Sequence, residues 1–231
     1  MENQSWEDAN KWEHEWHGDC IQPEFNEVSK QYTYANLMGL DKYATYYYGM
    51  RGWDFGEKKV LDMGCGPYSM LLRSKAALKV GVDPCEYPLW VRERYKEADV
   101  HVVKEKGEDF NHFGAYDVLN NINFASSQFG YFDKDKSAIL DTHNFDIALL
   151  YNCLQHTEDP EKIIQNIRKV SKEIHVFEWE NAGISPGHIQ NLTEENMDKW
   201  LGGSGRCVNL DRGNVVGRAY VGIFKGDLYD K

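Results

Sequence analysis

Cysteine is sparse and badly placed for metal or redox work. The five are Cys20, Cys65, Cys85, Cys153 and Cys207, and no two form a Cys-x-x-Cys pair. That removes the usual zinc and dithiol signatures, and an odd, scattered set fits a reducing compartment. Long apolar runs are missing as well: no stretch approaches the roughly 20 residues that cross a bilayer. The charged N-terminus does not read as a signal peptide. Basic residues are in deficit, with 26 Lys and Arg against 37 Asp and Glu and a formal net charge of −11. Such a chain is repelled by phosphate backbones, which argues against a nucleic-acid partner. The densest basic group, Arg92, Arg94 and Lys96, reads as the solvated face of a helix. The expectation is a cytoplasmic protein with neither membrane nor nucleic acid as partner. At 231 residues it has length for one α/β domain and an added cap.

What the sequence does contain is centred on Val60–Met70, VLDMGCGPYSM. An apolar pair leads into Asp62, a glycine turn Gly64-Cys65-Gly66 follows, and Pro67 opens a segment of helical character. This reads as strand, tight loop, helix. Glycines let the backbone approach a ligand closely, and the N–H groups at a helix start suit a polar or anionic group. A second strand-like run, Lys79-Val80-Gly81-Val82, ends in Asp83, 21 residues after Asp62. An acid at that place is the expected partner of ribose hydroxyls in a doubly wound fold. Both features fit a ligand carrying adenosine.

The stretch Asp62-Met63-Gly64-Cys65-Gly66 resembles the acid-x-Gly-x-Gly motif of class I methyltransferases that use S-adenosylmethionine. The similarity is greatest to the small-molecule branch, the ubiquinone and menaquinone biosynthesis enzymes, and runs from about Gly56 to Phe224. The resemblance implies a Rossmann-like α/β fold: a seven-stranded, mostly parallel sheet, helices on both faces, an antiparallel last strand and an N-terminal helical cap. It implies S-adenosylmethionine as cofactor, S-adenosylhomocysteine as product and a small-molecule acceptor. One departure is the lack of a further glycine near Tyr68, where the chain reads Pro67-Tyr68-Ser69.

Taken in order, residues 1–55 form an aromatic-rich segment with Trp6, Trp12 and Trp16, a helix over Glu24–Met38 and the run Tyr43–Tyr48. Two readings stand side by side: a lid that shields the reacting centre from water, and padding on the side of the sheet. The resemblance favours the lid. The domain proper is expected over 56–231, with strands at Val60–Asp62, Lys79–Asp83, Asp99–Val103, Phe145–Tyr151 and Ile174–Phe177. Helices are expected at Tyr68–Ala77, Pro88–Glu97 and Glu161–Ser171. A further helix runs from Leu192-Thr193 to Leu201, and a closing hairpin spans Arg206–Leu210 and Arg218–Phe224. Asp159 and Thr193 are the expected caps, with Leu192 stapled on Met197. Between strands, about 110–144 reads as an insertion bordering the pocket or a protein interface.

Ligands in such sheets bind at the carboxyl ends of the strands. Asp62, Gly64, Cys65, Gly66, Asp83 and Pro84 are therefore the first cofactor-binding candidates. Glu108 or Asp109 is placed near the adenine amino group by the resemblance, and Tyr151 and Asn152 complete the set. After the fourth strand comes Gln155-His156-Thr157-Glu158-Asp159-Pro160, which is similar to the His-x-x-Asp-Pro stretch of the small-molecule branch. The Asn/Asp-Pro-Pro-aromatic motif of exocyclic-amine nucleic-acid methyltransferases is absent. His156 is the first candidate for a general base, His188 the second and Glu178 the third, each also readable as a substrate-binding or loop-shaping group. No metal is expected among them. The leading expectation is methyl transfer to an oxygen or nitrogen of a small molecule. One rival is a non-catalytic cofactor-binding subunit supporting a partner. The other is an NAD-dependent oxidoreductase, against which stands Ser69 where Gly-x-Gly-x-x-Gly needs its third glycine.

Overall fold

The computed structural model describes residues 5–19, 24–47, 50–110, 144–185, 187–212 and 215–229. The expected insertion at 110–144 falls almost wholly outside the described residues. The ordered chain runs α1 (Trp6–Asp19), α2 (Glu24–Leu37), β1 (Ala44–Tyr47), β2 (Met50–Asp54), β3 (Lys59–Met63), β4 (Ser74–Lys75), β5 (Leu78–Val82), α3 (Leu89–Glu97) and β6 (His101–Val103). It continues with β7 (Phe145–Tyr151), α4 (Pro160–Val170), β8 (Ser171–Trp179), α5 (Glu194–Leu201), β9 (Arg206–Arg212) and β10 (Val215–Lys225).

Seven strands form the main sheet in the order β6-β5-β3-β7-β8-β10-β9. The first five are parallel, and β10 pairs antiparallel with both β8 and β9. Strand alternation divides the core in two. Leu61 and Met63 of β3 and Ala148 and Leu150 of β7 meet Ile163, Ile164 and Ile167 of α4 and Met197 and Leu201 of α5. Val60, Ile147, Leu149 and Phe177 face the other way, onto Tyr34 and Met38 of the α2 region and Val91 and Tyr95 of α3. The caps form as expected: Asp159 accepts from Lys162 N, Thr193 accepts from Asn196 N, and Leu192 and Met197 are both buried. No described helix is long and apolar enough to cross a membrane.

The segment expected as a helix over Tyr68–Ala77 is different. Met70–Arg73 is a single 3-10 turn, and the chain then straightens into β4, which pairs parallel with β2 (Trp53↔Ser74). Together β1, β2 and β4 make a small second sheet. Ser69 Oγ accepts from Leu71 N and Tyr151 OH from Met70 N at the start of the turn, and at its end Ser74 donates its N–H to Leu71 O and its Oγ to Met70 O. Helix α2 lies against this unit and the main sheet. Tyr34 stacks on Phe177 at 4.0 Å between centroids, Tyr32 OH donates to Arg51 O, and the Met38 carbonyl accepts from the buried His175. Gln31 joins α2 to the glycine loop, donating to Tyr68 O and accepting from Arg73.

Candidate functional site

The carboxyl ends of β3, β5 and β7 open into a cleft of about 350 Å³, roofed by Trp6, Asn10 and Trp12 of α1 and by α2. Its floor is the glycine loop. Gly64 and Cys65 donate their N–H groups to Val82 O, so the loop is pinned to the end of β5. Gly64 has φ +69°, and a Cβ there would lie 2.4 Å from Cys153 Cβ. Both conformation and close approach therefore require glycine. At Gly66 (φ +54°) the Cβ position has no protein atom within 4 Å. The Gly66 carbonyl accepts from Tyr95 OH.

Asp83 stands where the spacing put it. One of its oxygens accepts from Gly66 N at 3.1 Å and the other from Cys85 N at 2.9 Å. It is 6 % exposed and lines the cleft with Pro84. Two acceptor directions remain on the carboxylate, since it offers about four. Glu108 also lines the cleft, and its Oε1 caps the N–H groups of Glu158 and Asp159. Asp109 is exposed and lies off the cleft wall. Tyr151 and Asn152 line it, the latter in the left-handed region at φ +52°.

Asp62 is expected at the ligand and lies instead behind the loop, fully buried. Its Oδ2 accepts from Ser69 Oγ and from Tyr151 OH at 2.8 Å, and its Oδ1 has no partner. Burial outweighs those two bonds and pushes its pKa up to about 7. Asp62 thus holds the loop from beneath. Glu178, a candidate base, is placed in the same way. It is fully buried at the end of β8 and is not among the cleft-lining residues. Its Oε1 accepts from the backbone N–H of Cys153 and Leu154 at 3.1 and 3.2 Å, while Oε2 is unpartnered. Burial raises its pKa to about 7.

His156 and His188 do meet in the cleft, with ring centroids 4.8 Å apart at 75°. The 181–190 loop brings His188 in. Ile189 N and Gln190 N both donate to the Gln155 carbonyl, and Ser185 and His188 exchange backbone bonds. His156 Nδ1 lies 2.7 Å from the Gly187 carbonyl, which can only accept. The neutral ring therefore carries its proton on Nδ1, and Nε2 is a lone pair. Tyr34 and Trp179 complete this wall; sequence reasoning missed Tyr34 as a site residue because it carries no motif and arrives through the stacking of α2 on Phe177. Among the described residues no group of three or more His, Cys, Asp or Glu could hold a metal ion.

No family model matches the chain, and no curated protein matches it. Among solved structures it is similar to the N-methyltransferase NodS of Bradyrhizobium japonicum in complex with S-adenosyl-L-homocysteine. The TM-score is 0.48 and the identity 11 %, over 85 % of this chain and 87 % of that one. It is also similar to the N-terminal domain of EvdMO1, solved with S-adenosylhomocysteine and D-fucose, at TM-score 0.43 and 13 % identity over 85 % and 97 % of the chains. These are likenesses of chain path, and no site residue is carried over from them. The chain's own sheet has β5 and β6 out from β3 on one side and β7, β8 and the antiparallel β10–β9 pair on the other, the seven-stranded, mostly parallel Rossmann-like arrangement expected from the sequence.

Proposed function

We propose that the chain is an S-adenosylmethionine-dependent methyltransferase acting on an oxygen or nitrogen of a small molecule. The observation that carries the reading is the cleft at the carboxyl edge of the sheet, with a glycine floor open at Gly66 and Asp83 on its wall. A dinucleotide would need a helix N-terminus after the glycine loop to receive its pyrophosphate. That place holds a 3-10 turn whose leading N–H groups are taken by Tyr151 OH and Ser69 Oγ. This favours a ligand with adenosine and no pyrophosphate over NAD.

Asp83 is suited to accept from ribose hydroxyls, and Glu108 to face the adenine edge. The cofactor supplies an already activated methyl group on a sulfonium. What remains for the chain is to align the acceptor, exclude water and take the acceptor's proton. The proton that the acceptor gives up on taking the methyl group would go to a base. His156 Nε2 fits that role, with His188 beside it; Glu178, shut behind the turn, does not.

The test is calorimetric titration with S-adenosylhomocysteine and, separately, NAD. Wild type should bind the first and not the second, and Asp83→Asn should lose about tenfold or more in affinity while keeping its melting temperature within a few degrees. One good charge-assisted hydrogen bond contributes roughly 1.5–3 kcal/mol, which sets that scale. Binding of NAD, or of neither ligand, contradicts the proposal.

A further inference from the structure

Gln155 is 1 % exposed, yet its amide is arranged around groups that change protonation. Its Nε2 lies 3.2 Å from Asn152 Oδ1, 3.3 Å from His156 Nε2 and 3.4 Å from His188 Nε2. Its Oε1 is buried with no partner. An amide nitrogen has two hydrogens, and Asn152 Oδ1 and the His156 Nε2 lone pair are acceptors for them. With both imidazoles neutral and His156 Nε2 a lone pair, this orientation is the favourable one. Once His156 carries a proton on Nε2, two donors face each other across 3.3 Å. Rotation of the amide then places Oε1 as the acceptor of that proton.

We propose that Gln155 is a positioning residue of the methyl-transfer site. In one orientation its N–H donates to the Nε2 lone pair and holds His156 neutral with its proton on Nδ1; in the other its Oε1 accepts from the imidazolium formed when the acceptor's proton displaces that N–H at Nε2. The His156 proton comes from the acceptor's O–H or N–H, and no other group is consumed. The catalytic meaning rests on the reading under Proposed function, whereas the coupling of the amide to His156 does not.

The surroundings are compatible with such a coupling. Helix α1 contributes Trp6, Asn10 and Trp12 to the cleft, none of them charged. Helix α2 contributes Glu27 and Lys30, paired with each other at 2.7 Å, and Tyr34. Asp83, Lys106, Glu108 and His188 line the same cleft, and Lys106 is engaged by Glu158 at 3.0 Å. Glu178 lies behind the turn and still feels the charge of His156, so its own ionisation is read alongside that of His156. Burial pushes the ionisations of Tyr34, Tyr151 and Cys153 upward, so these stay neutral.

The experiment is ¹⁵N NMR of the full chain through a pH titration, with His156 assigned by its loss in His156→Gln. In wild type the Gln155 side-chain amide signals should shift with the same midpoint as His156. In Gln155→Glu a carboxylate replaces the rotating amide, and the His156 midpoint should rise by roughly one pH unit or more. Gln165→Glu, an exposed change on α4, should leave it in place. A Gln155 amide that stays flat while His156 titrates overturns the proposal, as does an unmoved midpoint in folded Gln155→Glu. Should Gln155→Glu fail to fold, the wild-type titration decides alone. Coupling seen without S-adenosylhomocysteine binding would sink the methyltransferase reading and keep the coupling.

Discussion

Asp62 and Glu178 share one arrangement. In each, one oxygen accepts every hydrogen bond to the carboxyl, two at Asp62 and three at Glu178, and the other is buried without a partner. The unpartnered oxygen is the natural seat of a proton, in keeping with pKa values raised to about 7. The native state therefore keeps protons that the unfolded chain releases near pH 4, so each group's favourable contribution is full below about pH 4 and is lost as pH rises to about 7. With shifts of this size the effect is on the order of 3 kcal/mol for each group. Asp62→Asn and Glu178→Gln keep the accepting oxygen and replace the unpartnered one by NH₂. Urea midpoints followed from pH 4 to 8 should fall less steeply for each variant than for wild type; slopes equal to wild type would show that the carboxyls are ionised in the folded protein. Residue types alone showed part of this site. The 21-residue step from Asp62 to Asp83 and the two glycines mark the cleft, because backbone geometry demands them locally. The burial of Asp62 and Glu178, and the roles of Tyr34 and Gln155, come from partners distant in sequence and leave no local trace.

Helices α3, α4 and α5 and all strands of the main sheet were legible because their apolar spacing, and in α4 and α5 their caps, agree with their final packing. The exception is the segment after the glycine loop. Met70-Leu71-Leu72 and Ala76-Ala77 have good helix propensity, but the pairing of β4 with β2 overrides it. Nothing local announces that partner. Gly52 of β2 lies so near this turn that a Cβ would sit 2.2 Å from the Arg73 carbonyl oxygen. Gly52→Ala should therefore cost roughly 1–3 kcal/mol, the usual range for overpacking, and loosen α2, whose Gln31 holds Tyr68 and Arg73. A denaturant midpoint unchanged by that substitution would mean the small sheet does not anchor the turn.

Over the whole molecule, the parallel strands bring their carboxyl ends to one edge, and α1 and α2 lie across it. Glycine loop, Asp83, Glu108, His156 and His188 come from five separate stretches and face one cleft beneath Trp6 and Trp12. The acid–glycine loop points to that edge from sequence. The roof of Trp6, Asn10 and Trp12 does not follow from periodicity, because it depends on how α1 settles on the turn at Leu154–His156. In the N-terminal segment α1 lines the cleft, and Tyr34 of α2 covers Phe177 of the sheet.

Amide hydrogen exchange with and without saturating S-adenosylhomocysteine tests whether this cleft holds the cofactor. Exchange should slow at 63–69, 83–87, 106–109 and along α1, with the β9–β10 edge unchanged. Protection confined to other segments, or none at saturation, would contradict it.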